Sequence, residues 1–86
     1  MEYIIVAFRS RTHTVKFSEY LKSAGIINEI VNTPKEAGVG CGLSVKVSLK
    51  QLTLVKRAIK FTNLNSYAGG FLVKVNKGGR TVRNAF

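Results

Sequence analysis

At 86 residues the chain is long enough for one domain and too short for two. Its 45% apolar content suits a packed core and argues against a disordered chain, and a single cysteine excludes an internal disulfide. Fourteen Lys/Arg against four Asp/Glu leave a formal charge of +10, which favours nucleic acid, acidic membrane surfaces or an acidic protein as partner.

Glu2 to Phe8 carries the nearly continuous apolar run Tyr3-Ile4-Ile5-Val6-Ala7-Phe8, as a central strand would. Ser10 is placed to cap a helix running to about Ala24, with Thr14, Phe17, Leu21 and Ala24 at helical spacing on one buried stripe. Gly25 follows where a left-handed terminating residue belongs. Ile26 to Val31 reads as a second strand, and Thr33 to Gly42 as a loop. Leu43 to Val47 alternates like a third strand. Ser48 and Gln51 have the spacing of a capping box, opening a second helix from Leu49 to about Phe61 that buries Leu52, Val55 and Ile59. Asn63 to Gly70 is a turn-rich connection, Phe71 to Val75 a fourth strand, and residues 77–86 a basic, flexible tail.

The order β-α-β-β-α-β predicts an α+β domain over residues 1–76, with a ferredoxin-like split βαβ arrangement. In that arrangement four antiparallel strands carry both helices on one face. Met1-Glu2-Tyr3 lacks the basic start of a signal peptide, and Arg9 and Arg11 interrupt the only early apolar run. No stretch is long and apolar enough to span a membrane, so a reducing, cytoplasmic setting is expected.

Topology puts the start of the third strand, near Cys41, beside the exit of the first strand, near Phe8, Arg9 and Ser10. A helix N-terminus there offers unpaired N–H groups and partial positive charge, and Arg9, Arg11 and Lys35 add full charges. Each favours thiolate, the nucleophilic form of cysteine. Gly38, Gly40 and Gly42 around Cys41 let the backbone approach or wrap an anion. His13, in the first helical turn, is a proton-exchanging group near the same end. A lone cysteine is most often an inert core residue, but a glycine-rich loop is a poor place for one. The loop is not a phosphate-binding loop, for it lacks the Gly-Lys-Ser/Thr ending. One Cys and one His do not complete a tetrahedral zinc site, so no metal or cofactor is expected. No acid is placed to orient His13 for a Cys-His hydrolase, and the reading favours a carrier or binding protein over an enzyme.

Thr33-Pro34-Lys35-Glu36, followed shortly by Cys41-Gly42-Leu43, resembles the Se/S carrier protein-like family of small domains. The likeness runs from Tyr3 to about Val75 and includes the Ser10-Arg11-Thr12-His13-Thr14 helix start and the Ala24-Gly25-Ile26 step. Family members often have Arg where Lys35 stands, and Ser or Ala where Val39 and Gly40 stand. The resemblance implies that Cys41 accepts a sulfur or selenium atom as a persulfide or perselenide. A donor protein such as a cysteine desulfurase or selenocysteine lyase would supply it, and an acceptor would receive it. A lone cysteine cannot resolve that intermediate as an internal disulfide, which suits a carrier better than a self-contained thiol oxidoreductase. Lys35, Arg9 and Arg11 would then stabilise the anion or dock a partner, Glu36 would hold the loop through a salt bridge, and Pro34 would set its turn.

Two alternatives stand beside it. RNA binding would use Tyr3 and Phe71 to stack bases, with Lys46, Lys74 and the tail on phosphates, although the third strand lacks an RNP-like pattern. A regulatory or assembly module, dimeric through an exposed sheet face, is the other.

Overall fold

The computed structural model describes all residues from Met1 to Phe86. Its elements are β1 (Glu2–Phe8), α1 (Arg11–Ser23), β2 (Asn28–Asn32), β3 (Leu43–Ser48), α2 (Leu52–Thr62), β4 (Tyr67–Asn76) and β5 (Gly79–Asn84), with single 3₁₀ turns at Lys35–Ala37 and Leu49–Gln51. One antiparallel sheet has the order β2-β3-β1-β4-β5.

The sheet therefore has five strands, and the expected four-stranded ferredoxin-like arrangement is corrected. The fifth comes from the segment read as a basic tail. Residues 79–84 pair with β4 from Phe71↔Asn84 to Asn76↔Gly79, so this part of the chain is a turn and an edge strand. It carries Arg80, Thr81, Val82 and Arg83, with one apolar side chain among them, and an edge strand needs no more than that.

The central position of β1 follows from its composition. Ile4, Val6 and Phe8 point to the helical side and join Phe17 and Leu21 of α1, Val45 and Val47 of β3, and Val55 and Ala58 of α2. Ile5 and Ala7 point the other way and join Phe71 and Val73 of β4 in a second cluster without helical members. A strand buried on both faces has no room for alternation, hence its unbroken apolar run. Burying a side chain such as Phe17 or Leu21 contributes about 1.5–3 kcal/mol.

The helix ends follow the local chemistry. Ser10 Oγ accepts the His13 N–H at 3.2 Å, which caps α1 as the spacing predicts. At the other end Gly25 has φ +81°, its N–H donates to Lys22, and Ile26 donates to Leu21 at 2.8 Å. This is a Schellman termination, with Ile26 and Leu21 both in the core. Ser48 accepts from Lys50 N–H at 3.3 Å, one residue short of the expected Gln51, so the chain makes a 3₁₀ turn before α2 begins at Leu52. Both helices contribute to the first cluster only, which leaves the second face of the sheet to the loop between β2 and β3. No helix is long and apolar enough to cross a membrane.

Candidate functional site

The loop from Thr33 to Gly42 is fastened at several points. Thr33 N–H donates to Gly42 O at 2.9 Å, and the Thr33 and Ser44 hydroxyls are 2.6 Å apart, which closes its base. Pro34 is buried and leads into the 3₁₀ turn, which Gly38 ends at φ +65°. Ala37 and Val39 pack on the second apolar cluster. Glu36 receives two hydrogen bonds from Arg80 of β5, Nε to Oε2 at 2.9 Å and Nη2 to Oε1 at 3.0 Å. Bidentate pairing fixes orientation as well as distance. The guanidinium beside Glu36 holds its carboxyl below the usual range, chiefly through the side-chain hydrogen bond.

Cys41 sits where the topology requires. β3 pairs with β1 up to Ser44↔Ala7, and the Cys41 N–H donates to Phe8 O at 2.9 Å. Gly40, at φ +92°, passes so close to β1 that a Cβ there would meet Phe8 O at 3.0 Å. Glycine at this position is therefore required twice, by backbone conformation and by contact.

The thiol is half-exposed and turned toward the first turn of α1. Its Sγ lies 3.7 Å from Thr14 Oγ1 and 3.6 Å from Leu43 O. Partial burial opposes ionisation and is the largest single influence. Backbone hydrogen bonding at Leu43, the Thr14 hydroxyl, Cys41's own backbone and the Arg11 charge together outweigh it. The thiol is held below its ordinary value. Thr14, whose hydroxyl meets the Cys41 sulfur, is fully buried and also donates to Ser10 O at 3.2 Å. Its place on the helical stripe was legible in the sequence; its contact with a residue 27 positions on was not.

The remaining expected site residues divide into three groups. Ser10 and Arg11 lie at the thiol's end of α1, as cap and charge. Arg9, Pro34, Lys35, Gly40 and Gly42 instead line a shallow cavity of about 690 Å³ against the loop, which Cys41 itself does not line. Arg9 and Lys35 thus share this cavity with Gly40 and Gly42, the two residues that flank Cys41 in sequence. His13 is drawn elsewhere: its Nδ1 lies 2.6 Å from Ser66 Oγ, tying α1 to the segment before β4, where Arg9 N–H also donates to Ser66 O at 2.7 Å. Arg80, which holds Glu36, escaped the sequence reading because it lies 44 residues away in the presumed tail.

A small α+β domain with a half-exposed, ionisable loop cysteine at a helix N-terminus defines the class. The family model described as “Putative Se/S carrier protein-like” matches residues 2–67, more than half of the chain, and the protein belongs to that family. The match spans β1 to the start of β4 and includes Pro34-Lys35-Glu36 and Cys41-Gly42-Leu43. Neither the curated proteins nor the solved structures contain a match.

Proposed function

We propose that the protein carries a single sulfur or selenium atom on Cys41 between a donor and an acceptor protein. The observation that carries this reading is the thiol itself: half-exposed, held below its ordinary pKa, and set at the first turn of α1 beside Thr14 and Arg11. The thiolate attacks the terminal sulfur of a donor persulfide. A bond forms between Cys41 Sγ and that sulfur, the donor's S–S bond breaks, and the donor sulfur leaves as thiolate. No net oxidation occurs, so no electron acceptor is needed, and the perselenide case is analogous. The new terminal atom is more acidic than a thiol. Thr14, Arg11 and the N–H groups of α1's first turn favour the charged form there.

The donor is a protein of cysteine desulfurase or selenocysteine lyase type, because such proteins present the atom in this form. Incubation with a desulfurase and cysteine is expected to add the mass of one sulfur at Cys41, reversibly with dithiothreitol. Cys41→Ser, with an unchanged circular dichroism spectrum, should show no gain. Persistence of the adduct in that variant, or an unmodified wild type under conditions that load a known acceptor, defeats the proposal.

The RNA reading loses its stacking platform. Phe71 is only 6% exposed, inside the second cluster, and the Tyr3 ring lies under the Lys46 ammonium at 4.4 Å. Bases need a free aromatic face.

A further inference from the structure

Away from the loop, the two helices meet around a groove of about 280 Å³. Tyr20, Ala24 and Ile26 line one side, and Leu54, Ala58 and Phe61 the other. Leu54 is 46% exposed and Phe61 is 75% exposed, although both have apolar neighbours at hand. Phe61 stacks on Tyr20 at 5.6 Å between centroids, so its ring is positioned rather than loose. Leu54, Ala58 and Phe61 recur at i, i+4 and i+7, which makes one stripe of α2. Ala58, 4% exposed, joins the core beside Val55, while Leu54 and Phe61 lie outside it. Amphipathic helices usually cover the apolar residues they present, and Leu54 and Phe61 at the two ends of this stripe stay uncovered.

The charges around it are of one sign. From Leu49 to Thr62 the chain has Lys50, Lys56, Arg57 and Lys60 and no acid. Arg57 lines the groove itself. The molecule's two salt bridges, Lys46–Glu29 and Arg80–Glu36, involve none of these four cations. Glu19, the one acid of α1, lines a different surface, with Arg11 and Lys16.

We propose that the groove between α1 and α2 docks an acidic amphipathic helix of another protein. Apolar side chains of the partner enter between Tyr20 and Leu54, and its Asp/Glu side chains meet Arg57 and Lys60. Helix-in-groove recognition takes this form, with anchors at i, i+3, i+4 and i+7. Concavity favours inserted side chains over a flat bilayer, and an apolar lining favours protein over nucleic acid, whose backbone seeks charge alone. Cys41 takes no part, so the groove's role is independent of the carrier chemistry.

The test uses a fluorescein-labelled helical peptide with leucines at i, i+3, i+4 and i+7 and glutamates elsewhere, and a second peptide of the same composition with the leucines scrambled. Fluorescence anisotropy is expected to show the ordered peptide binding roughly tenfold more tightly than the scrambled one. Phe61→Ser and Leu54→Ser, both at exposed positions, should weaken it at least about fivefold with the circular dichroism spectrum unchanged. Arg57→Glu combined with Lys60→Glu should weaken both peptides. Absence of binding, equal binding of the two peptides, or wild-type affinity in Phe61→Ser overturns the proposal. So does Phe61-dependent sedimentation with phosphatidylserine vesicles when the peptide does not bind, which would assign the groove to a membrane surface.

Discussion

The Cys41 thiol and the Thr14 hydroxyl lie 3.7 Å apart, close enough to share a weak sulfur hydrogen bond. Because the native thiol is held low, its alkylation by iodoacetamide should reach half its maximal rate at a lower pH than that of a free cysteine measured alongside. Thr14→Val removes the hydroxyl but keeps the shape. It should raise that midpoint and slow alkylation at neutral pH roughly fivefold, the effect of about 1 kcal/mol. Arg11→Gln should do less, and only at low salt, since its contribution is coulombic and exposed. The sign of the linkage follows. An acid held low when folded adds stability that is complete above its unfolded value and is lost as pH falls through the folded one. Thr14 was legible as part of a buried stripe but not as a thiol neighbour, because helical spacing says which face is buried and nothing about what meets it. For His13 likewise, the place in the first turn is local information, whereas its 2.6 Å contact with Ser66 spans 53 residues.

Among the elements, the glycines of the Cys41 loop separate by what surrounds them. Gly42 has φ +94° and open space around a hypothetical Cβ, so Gly42→Ala meets only backbone strain, about 1–2 kcal/mol. Gly40→Ala adds a clash with Phe8 O and should cost more, with loss of the Cys41-to-Phe8 hydrogen bond; thermal melts of the two variants compare them directly. The Glu36–Arg80 pair is exposed, and its effect should appear in loop order more than in melting temperature. Arg80→Ala is expected to speed hydrogen exchange at Gly38 and Cys41 with little change elsewhere. Glu36 is held low, so its support is complete above the ordinary carboxylate value and is lost as pH falls through the lowered one. The loop should loosen in acid and not in alkali, and the amide resonances of Glu36 to Gly38 should record that midpoint. Elements with an apolar face to bury were legible: β1, α1 and α2 announce themselves by runs or stripes. β5 was not, for its only apolar residue is Val82 and its pairing with β4 lies in backbone hydrogen bonds that the side chains do not advertise. β4 was read short because Gly69 and Gly70 look like a turn. Gly70 is instead the place where the Phe86 ring lies against the sheet.

For the molecule as a whole, β5 lies outside the segment that the family model matches, residues 2–67. Removing it should nevertheless reach the site. Truncation after Asn76 deletes Arg80 and with it the Glu36 contact, and also the Tyr67 hydroxyl's bond to Phe86 O at 3.0 Å. The truncated chain is expected to melt lower, by about 4–8 °C for each kcal/mol lost, and to exchange faster in the Cys41 loop. An unchanged melting temperature and exchange pattern would show that the edge strand is dispensable. The +10 charge was plain from composition, but its distribution was not: α2 carries three cations and no acid, while Glu29 and Glu36 are each engaged on the other side of the sheet.

On the proposed carrier reading, two atoms of β1 decide how the cargo travels. The Phe8 carbonyl receives the amide of Cys41, and Gly40 has no room for a Cβ beside it, so the sulfur is anchored to the central strand of the sheet. A lipoyl-type swinging arm ferries its load between distant stations; this sulfur is a fixed berth. Both donor and acceptor have to visit the same spot from the same direction, and so they must take turns.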